Sequence, residues 1–269
     1  MPPKRQTASA SKSKARPGAK STARHDGRRP DECRPVSFER NFTRHAGGSV
    51  LVSFGETRVL CTAMLEKDLP PWLRAKGPGS GGWLTAEYSM LPSSTTTRKR
   101  RDSGKPDGRS VEIQRLVGRA LRACIDLSQL DGLTLFIDCD VLQADGGTRT
   151  AAITGAWVAV ADALSAARRG KLLSESANVL TGQVAAVSVG IVNGTPVADL
   201  DYREDVDAHV DMNVAMLGDD TFVEVQGTGE HATFSARQLT QMLGLATSAI
   251  RRLHTAQRAS GVEWKAAAK

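Results

Sequence analysis

The sequence has few cysteines and few aromatic residues, which limits the classes of protein that it can form. Its 269 residues include 4 cysteines, and 4% of the residues are aromatic. The cysteines are far apart and form no Cys-x-x-Cys pair; they are Cys33, Cys61, Cys124 and Cys139. A zinc cluster or a disulfide framework normally needs closer or more numerous cysteines. We therefore expect reduced thiols, most of them buried.

Long apolar runs are also missing from the sequence. No stretch approaches the roughly 18 apolar residues with which a helix crosses a membrane. The first residues contain no apolar segment of the kind found in secretory signals. We therefore expect a cytoplasmic protein that does not associate with membranes.

Positive charge is abundant, but it is concentrated at one end of the chain. The formal net charge is +7, and residues 1–30 alone carry +8, so the remaining residues sum to −1. Residues 1–30 are rich in Ser, Ala, Pro and Gly and lack hydrophobic periodicity, so burial cannot offset the entropy cost of ordering them. We predict a disordered basic arm over residues 1–30, a single domain over residues 31–264 and a short tail over residues 265–269.

The pattern of apolar residues predicts a mixed fold. Periodicity of three and four indicates helices over residues 110–127 and 148–168, and a last helix that begins with a capping box of Ser235 and Gln238. β-Branched runs predict a hairpin of residues 49–54 and 57–65. Further strands are predicted at residues 83–90, 133–142, 184–193, 196–201, 211–216 and 221–226. Because strands and helices do not alternate strictly, an α+β fold is favoured over a doubly wound sheet.

A glycine turn between a predicted strand and a predicted helix is the most informative motif. Gly146 and Gly147 lead directly into Thr148, Arg149 and Thr150 at the helix start. Free N–H groups and the helix dipole favour an anion there. The threonine hydroxyls and the guanidinium would add hydrogen-bond donors that suit a phosphate. The alternative is an ordinary turn followed by a solvated arginine.

Two charged clusters accompany this turn. The first is basic and includes Arg98, Arg101 and Arg109; it would suit a sugar-phosphate backbone, although such runs are usually solvated loops. The second is acidic, spans residues 199–211 and includes Asp205 and Asp211. Dense carboxylates repel one another unless a cation or protons intervene, and oxygen ligands suit Mg²⁺ or Mn²⁺. A solvated acidic loop is the alternative, but carboxylates beside anion sites are a recurring arrangement in phosphodiester chemistry.

These motifs together resemble the bacterial ribonuclease PH family, whose members are phosphate-dependent 3′ exoribonucleases that trim transfer RNA precursors. The resemblance extends from Arg34 to the last helix. It rests on Arg34-Pro-Val, residues 48–57, Thr85-Ala-Glu-Tyr88, residues 108–116, 138–150 and 187–192, Asp211-Met-Asn and Glu224-Val-Gln-Gly-Thr. The resemblance implies a fold like the second domain of ribosomal protein S5, a catalytic domain over residues 31–264, and a homo-hexameric ring built as a trimer of dimers.

The resemblance also implies a role for each candidate site residue. Arg109 and the turn of Gly147, Thr148 and Arg149 would hold the attacking phosphate. Asp205 and Asp211 match the family's acidic pair near the metal, Mg²⁺ or Mn²⁺, and the scissile bond. Arg98 and Arg101 match the residues that grip the RNA 3′ end, whereas Ser93 stands where related enzymes often have an arginine.

The reaction implied is phosphorolysis. Inorganic phosphate, the co-substrate, attacks the terminal phosphodiester and releases a nucleoside 5′-diphosphate, reversibly, in the maturation of tRNA 3′ ends and the turnover of other RNA. Two rivals remain: an inactive RNA-binding ring subunit and a hydrolytic nuclease. An inactive subunit would be expected to lack some of Arg109, Arg149, Asp205 and Asp211, all of which are present.

Overall fold

The structure is a computed structural model that describes residues 24–101 and 107–264. The predicted tail at residues 265–269 and the first 23 residues of the predicted arm lie outside the described residues. The helices of the described part are α1 (Pro71–Arg74), α2 (Gly108–Arg122), α3 (Thr148–Arg169), α4 (Tyr202–Asp207) and α5 (Ala236–Ala259). The strands are β1 (Val36–Arg40), β2 (Gly48–Phe54), β3 (Thr57–Glu66), β4 (Trp83–Met90), β5 (Thr134–Gln143), β6 (Val184–Val192), β7 (Thr195–Ala198), β8 (Val210–Leu217) and β9 (Phe222–Gly229).

The strands form two sheets. The first has the order β1-β2-β3-β5-β4, and the second has the order β7-β6-β8-β9. Neighbouring strands are antiparallel except for β4 and β5, which are parallel. The predicted hairpin is confirmed, with Phe54 opposite Thr57 at its turn. The prediction of an α+β fold is therefore also confirmed.

Helix α3 contacts strands of both sheets and forms the centre of the core. By length and composition it could cross a membrane, but 83% of its most apolar window is buried inside the protein. A helix that is apolar on all sides belongs in such a core. Because α3 begins at the glycine turn, the core fixes the position of that turn.

Several predicted features agree with the structure and others do not. The capping box of Ser235 and Gln238 begins α5 as predicted, and all four cysteines are free thiols. The predicted helix over residues 110–127 instead ends at Arg122. The predicted strand over residues 196–201 ends at Ala198, because Asp199 adopts a φ of +56°, which a strand cannot continue. Strand β1 and helices α1 and α4 were not predicted.

The predicted boundary of the basic arm at residue 30 is wrong for residues 24–30. Arg24 is buried and Arg28 is half-buried, and both form ion pairs with carboxylates beside α4. The local sequence around these arginines has no apolar periodicity, and it therefore predicts that their side chains are exposed to solvent. The carboxylates at α4 that pair with them lie more than 170 positions away, so the sequence pattern does not reveal these contacts.

Candidate active site

The glycine turn before α3 depends on backbone that only glycine adopts easily. Gly146 and Gly147 have φ angles of +72° and +65°. A Cβ on Gly146 would lie 2.5 Å from the carbonyl carbon of Asp201. Gly147 precedes the helix without a side-chain cap, so the first N–H groups of α3 have no side-chain acceptor. This is the arrangement that favours an anion at a helix start.

The threonine hydroxyls at this helix start have partners inside the protein. The Thr148 hydroxyl lies 2.8 Å from the Tyr88 hydroxyl in a buried contact. The Thr150 hydroxyl donates to the carbonyl of Gly147 at 2.9 Å. The expectation that the Thr150 hydroxyl is a free donor for phosphate is therefore wrong. The backbone N–H of Thr148 remains a suitable group for an anion.

Arg149 is held between a helix and a strand. Its Nη1 donates to Glu112 Oε1 at 3.1 Å and to Gln226 Oε1 at 3.3 Å. Gln226 also donates to Glu112 Oε1, at 3.0 Å. The side chain of Arg149 is 15% exposed. Arg149 is thus oriented at the surface of the site by residues of α2 and β9.

Arg109 lies in the first turn of α2, which Asp107 caps by accepting a hydrogen bond from the Ser110 N–H at 2.6 Å. The Arg109 side chain is exposed. Its positive charge is one of the causes that lower the pKa of Asp205 and of Asp211 against the effect of burial. Arg149 acts on both carboxyl groups in the same direction. The structure therefore brings Arg109, Arg149, Asp205 and Asp211 to one site.

The two carboxyl groups of the site differ in exposure: Asp205 lies at the surface, and Asp211 is half-buried. Partial desolvation by neighbouring atoms is the main cause that raises the pKa of Asp205, and the charge of Glu230 raises it further. Burial and then the charge of Asp205 raise the pKa of Asp211 to about 6. Asp205 lies on α4 and Asp211 on β8, so the two residues come from consecutive elements, and the start of α4 lies against Gly146 of the glycine turn.

The carboxyl groups fit a divalent cation. Asp211 Oδ1 is buried and has no hydrogen-bond partner among the described residues. A buried carboxylate oxygen without a donor is costly unless a cation or proton satisfies it. The repulsion between Asp205 and Asp211 would also fall with a cation between them. Hard oxygen ligands of this kind suit Mg²⁺ or Mn²⁺.

The rest of the predicted acidic cluster is paired with arginines. Arg34 donates to both carboxylate oxygens of Asp199, at 3.0 and 2.7 Å. Arg24 Nε donates to Glu204 Oε1 at 2.7 Å. The acidic cluster over residues 199–211 therefore divides into two groups. Asp199 and Glu204 are neutralised structural residues, whereas Asp205 and Asp211 face the site.

Arg98 and Arg101 lie in the segment between β4 and α2. Both side chains are exposed, and neither pairs with a described carboxylate. The segment is held beside the glycine turn because the Ala144 N–H donates to the Ser94 carbonyl at 2.8 Å. The start of the basic cluster is held to the N-terminus of α2, since Lys99 Nζ lies 3.1 Å from Oδ2 of the N-cap residue Asp107. The exposed guanidinium groups are thus available to a chain that approaches the site.

Comparison with known proteins identifies the family. Residues 32–165 match domain 1 of the 3′ exoribonuclease family, RNase PH, and residues 182–249 match domain 2. The chain belongs to this 3′ exoribonuclease family. Arg109 and Arg149 lie in the part that matches domain 1 of RNase PH, and Asp205 and Asp211 lie in the part that matches domain 2. The candidate site therefore forms where the two family domains meet.

Solved structures with the same fold include exosome proteins. A chain of the Archaeoglobus fulgidus exosome with RNA bound to the active site is 25% identical, with a TM-score of 0.73 over 87% of this chain and 92% of that chain. Rice (Oryza sativa) Rrp46 is 19% identical, with a TM-score of 0.69 over 87% and 98%. An archaeal exosome core chain is 22% identical, with a TM-score of 0.68 over 88% and 91%. The expected fold, like the second domain of ribosomal protein S5, is confirmed.

Residues without a predicted role complete the site of this RNase PH family member. Arg34 and Tyr88 contact the residues on either side of the glycine turn, Asp145 and Thr148, and Glu112 and Gln226 orient Arg149. All four lie within the sequence motifs that carry the family resemblance, which was the available signal. Glu230 lies outside those motifs, and no sequence pattern marks it.

Proposed function

We propose that this protein is a phosphate-dependent 3′ to 5′ exoribonuclease that removes 3′-terminal nucleotides and releases nucleoside 5′-diphosphates. The proposal rests on one observation above all. Two arginines at two helix starts, Arg109 and Arg149, act electrostatically on the carboxyl pair of Asp205 and Asp211. Guanidinium groups that can bind the attacking phosphate thus lie beside carboxyl groups that can donate a proton to the leaving 3′ oxygen.

Holding the nucleophile is the first task of the site. Two anions, the phosphate and the RNA phosphodiester, must come together, so positioning and charge neutralisation supply most of the catalysis. Arg149 and Arg109 would bind the phosphate oxygens together with the N–H groups of the first turn of α3. Glu112 and Gln226 keep the Arg149 fork in one orientation before phosphate arrives.

Bond exchange is the second task. An oxygen of phosphate forms a bond to the terminal phosphorus, and the bond from that phosphorus to the preceding 3′ oxygen breaks. The leaving 3′ oxygen takes a proton, which Asp211 can supply because its pKa is raised to about 6 by burial and by Asp205. With Asp211 as the acid, Asp205 would hold Mg²⁺ or Mn²⁺, which would neutralise charge on the phosphates.

The proposed substrate is the 3′ end of RNA, transfer RNA precursors in particular. Arg98 and Arg101 would grip the strand through its phosphates. We further propose a homo-hexameric ring, a trimer of dimers, that acts in the cytoplasm. The exosome structures with the same fold support an assembly of this general kind.

An RNA-binding ring subunit without activity is the second candidate. The likeness to the exosome proteins favours it. The presence of both arginines and both carboxyl groups in one site favours the enzyme, since a subunit that only binds RNA needs no buried carboxylate oxygen like Asp211 Oδ1, which has no hydrogen-bond partner among the described residues.

One assay separates these candidates. Purified protein is incubated with a transfer RNA precursor and Mg²⁺, with and without inorganic phosphate, and the products are resolved by size and identity. We expect shortening that depends on phosphate, with nucleoside 5′-diphosphates as the products. Release of nucleoside monophosphates from the RNA in the absence of added inorganic phosphate would indicate a hydrolytic nuclease. RNA binding without any shortening of the RNA would indicate an inactive subunit.

A further inference from the structure

Residues 24–34, here called the N-terminal strap, pack against the segment that precedes and forms α4. Residues 24–31 lie before the part of the chain that matches the family. The strap is nevertheless built into the domain, because the Ala198 N–H donates to the Pro30 carbonyl at 2.8 Å. Arg24 Nη1 donates to the Ala198 carbonyl at 2.8 Å, and Arg24 Nη2 donates to the Asp199 carbonyl at 2.9 Å.

The arginines of the strap hold both members of the capping box of α4. That box consists of Asp201 and Glu204. Arg28 Nη2 lies 3.1 Å from Asp201 Oδ2 and 3.3 Å from Glu204 Oε2. Arg24 Nε lies 2.7 Å from Glu204 Oε1, and the paired side chains of Arg24 and Glu204 are only 2% and 3% exposed. The strap therefore neutralises the carboxylates at the start of this helix.

Helix α4 needs such support because it has only 6 residues. Helices this short are not stable by themselves in water. Asp205 follows Glu204 directly, and its N–H donates to the Asp201 carbonyl at 2.8 Å. The position of Asp205 therefore depends on the capping box that Arg24 and Arg28 hold.

The end of the strap reaches the glycine turn as well. Arg34 donates to the carbonyl of Asp145, directly before Gly146, and to the carbonyl of Leu200 at 3.2 Å. Arg34 also pairs with Asp199 at 2.7 Å. One continuous segment thus contacts both the phosphate-binding turn and the base of α4.

We propose that the N-terminal strap is a positioning element of the active site, in which Arg24 and Arg28 hold α4, and hence Asp205, in place relative to the glycine turn. Neither arginine touches substrate, so both are positioning residues. The role in catalysis rests on the proposed function; the mechanical role does not. His25, Asp201 and Glu204 together resemble a metal site by residue type, but the guanidinium groups of Arg24 and Arg28 already occupy the carboxylate oxygens.

The chain offers a matched pair of variants for the test. Arg28→Ala removes a side chain that is 9% exposed and contacts four carboxylates, those of Asp26, Asp199, Asp201 and Glu204. Arg29→Ala removes the neighbouring side chain, which is 75% exposed and pairs with Asp31 within the strap. Arg28→Lys keeps the charge but not the planar fork, so it should retain part of the function. Each variant is made in the full-length chain.

Two measurements are made on each variant. Amide hydrogen exchange of residues 202–207 reports the stability of α4 and needs no activity. Steady-state phosphorolysis of an RNA 3′ end, with phosphate and Mg²⁺ varied separately, gives kcat, the KM for phosphate and the Mg²⁺ requirement. For Arg28→Ala we expect exchange of residues 202–207 to be at least about tenfold faster. We also expect kcat to fall at least about fivefold, with the KM for phosphate changed less than about twofold, because the proposed phosphate contacts lie on α2 and α3.

The outcomes are distinct. Arg28→Lys should lie between wild type and Arg28→Ala, and Arg29→Ala should match wild type in every measurement. Unchanged exchange in Arg28→Ala, or equal effects of Arg28→Ala and Arg29→Ala, would overturn the proposal. An equal decrease in kcat, phosphate affinity and global stability would reduce the strap to a general structural element and would also overturn it. A wild-type protein that fails to use phosphate would refute the proposed function alone, since the exchange measurement stands without it.

Discussion

The charge of Asp205 opposes the ionisation of Asp211 across the candidate site. Burial is the larger cause, and the charge of Asp205 the second, of a pKa for Asp211 of about 6. Their repulsion is moderated by Arg149 and Arg109, whose charges act in the other direction. A carboxyl pair in this state binds a proton or a cation readily, which is the property that the proposed chemistry needs.

Replacing Asp211 should therefore change stability in a way that depends on pH. Folded Asp211 has a pKa of about 6, raised from the ordinary 3.8 mainly by burial, so the folded state binds the proton more tightly than the unfolded state. Stability from this group is fully present below about pH 4 and is lost as pH rises to about 6. At pH 7 the ionised group costs up to about 3 kcal/mol.

Asp211→Asn should remove that cost. In EDTA, the variant should unfold at higher urea concentration than wild type at pH 7, and the two proteins should converge near pH 4. Comparing variant with wild type at each pH cancels the titration of all other groups. An equal difference in stability between variant and wild type at both pH values would show that ionisation of Asp211 does not destabilise the folded protein.

Asp205→Asn should lower turnover much more than RNA affinity. Removal of a charged group at the reacting centre typically costs about 100-fold or more in rate, and higher Mg²⁺ or Mn²⁺ should restore part of the rate if the carboxylate is a ligand. Asp207→Asn, on the exposed end of the same helix, is the matched control and should retain wild-type turnover. Full activity of Asp205→Asn at low metal concentration would contradict the assignment.

Arg149→Ala should weaken phosphate use and leave the fold intact. Hydrogen bonds to charged groups contribute about 1.5–3 kcal/mol, which corresponds to roughly 10- to 100-fold in kcat/KM for phosphate. Arg149→Lys should rescue poorly because lysine lacks the bidentate fork. Arg169→Ala at the other end of α3, where the side chain is 68% exposed, should behave as wild type. Wild-type rates from Arg149→Ala at limiting phosphate would refute the role.

Arg98→Ala combined with Arg101→Ala should raise the KM for RNA more than the KM for phosphate. Both side chains are exposed on the segment beside the glycine turn, where a strand rather than the nucleophile would meet them. The two Michaelis constants are measured on the same enzyme preparation, so each serves as the control for the other. A defect confined to phosphate would argue against an RNA contact.

Deleting residues 1–23 should change the salt dependence of RNA binding while phosphorolysis continues. These residues carry +6, and the deletion keeps Arg24 and the rest of the strap. For every RNA phosphate that these residues neutralise, the deletion should reduce the slope of log affinity against log salt by about 0.7 for single strands or 0.9 for duplex. Binding of one precursor is measured across a salt series with both proteins. Identical slopes would mean that these residues serve something other than RNA.

Elements with strong local signals were predictable from the sequence. The β2-β3 hairpin and helix α3 match the predicted residues closely, because long periodic runs and a Gly-Glu turn determine their own conformation. Helix α4 was missed because 6 residues cannot show helical periodicity and its sequence is dominated by charge. Its capping box, Asp201 with Glu204, was the one available sign.

The α+β class, the glycine turn and the residue types of the site can be read from the amino-acid sequence, since each depends on neighbours along the chain or on a motif. Which acidic residues face the site and which are paired depends on contacts between distant parts of the chain. Asp199 and Glu204 are neutralised by Arg34 and Arg24, from positions 165 and 180 residues away, whereas Asp211 Oδ1 finds no hydrogen-bond partner among the described residues. Ion pairing depends on the distance between two groups in the folded protein. Carboxylates that look equivalent in sequence therefore have different environments when only some of them contact a buried guanidinium.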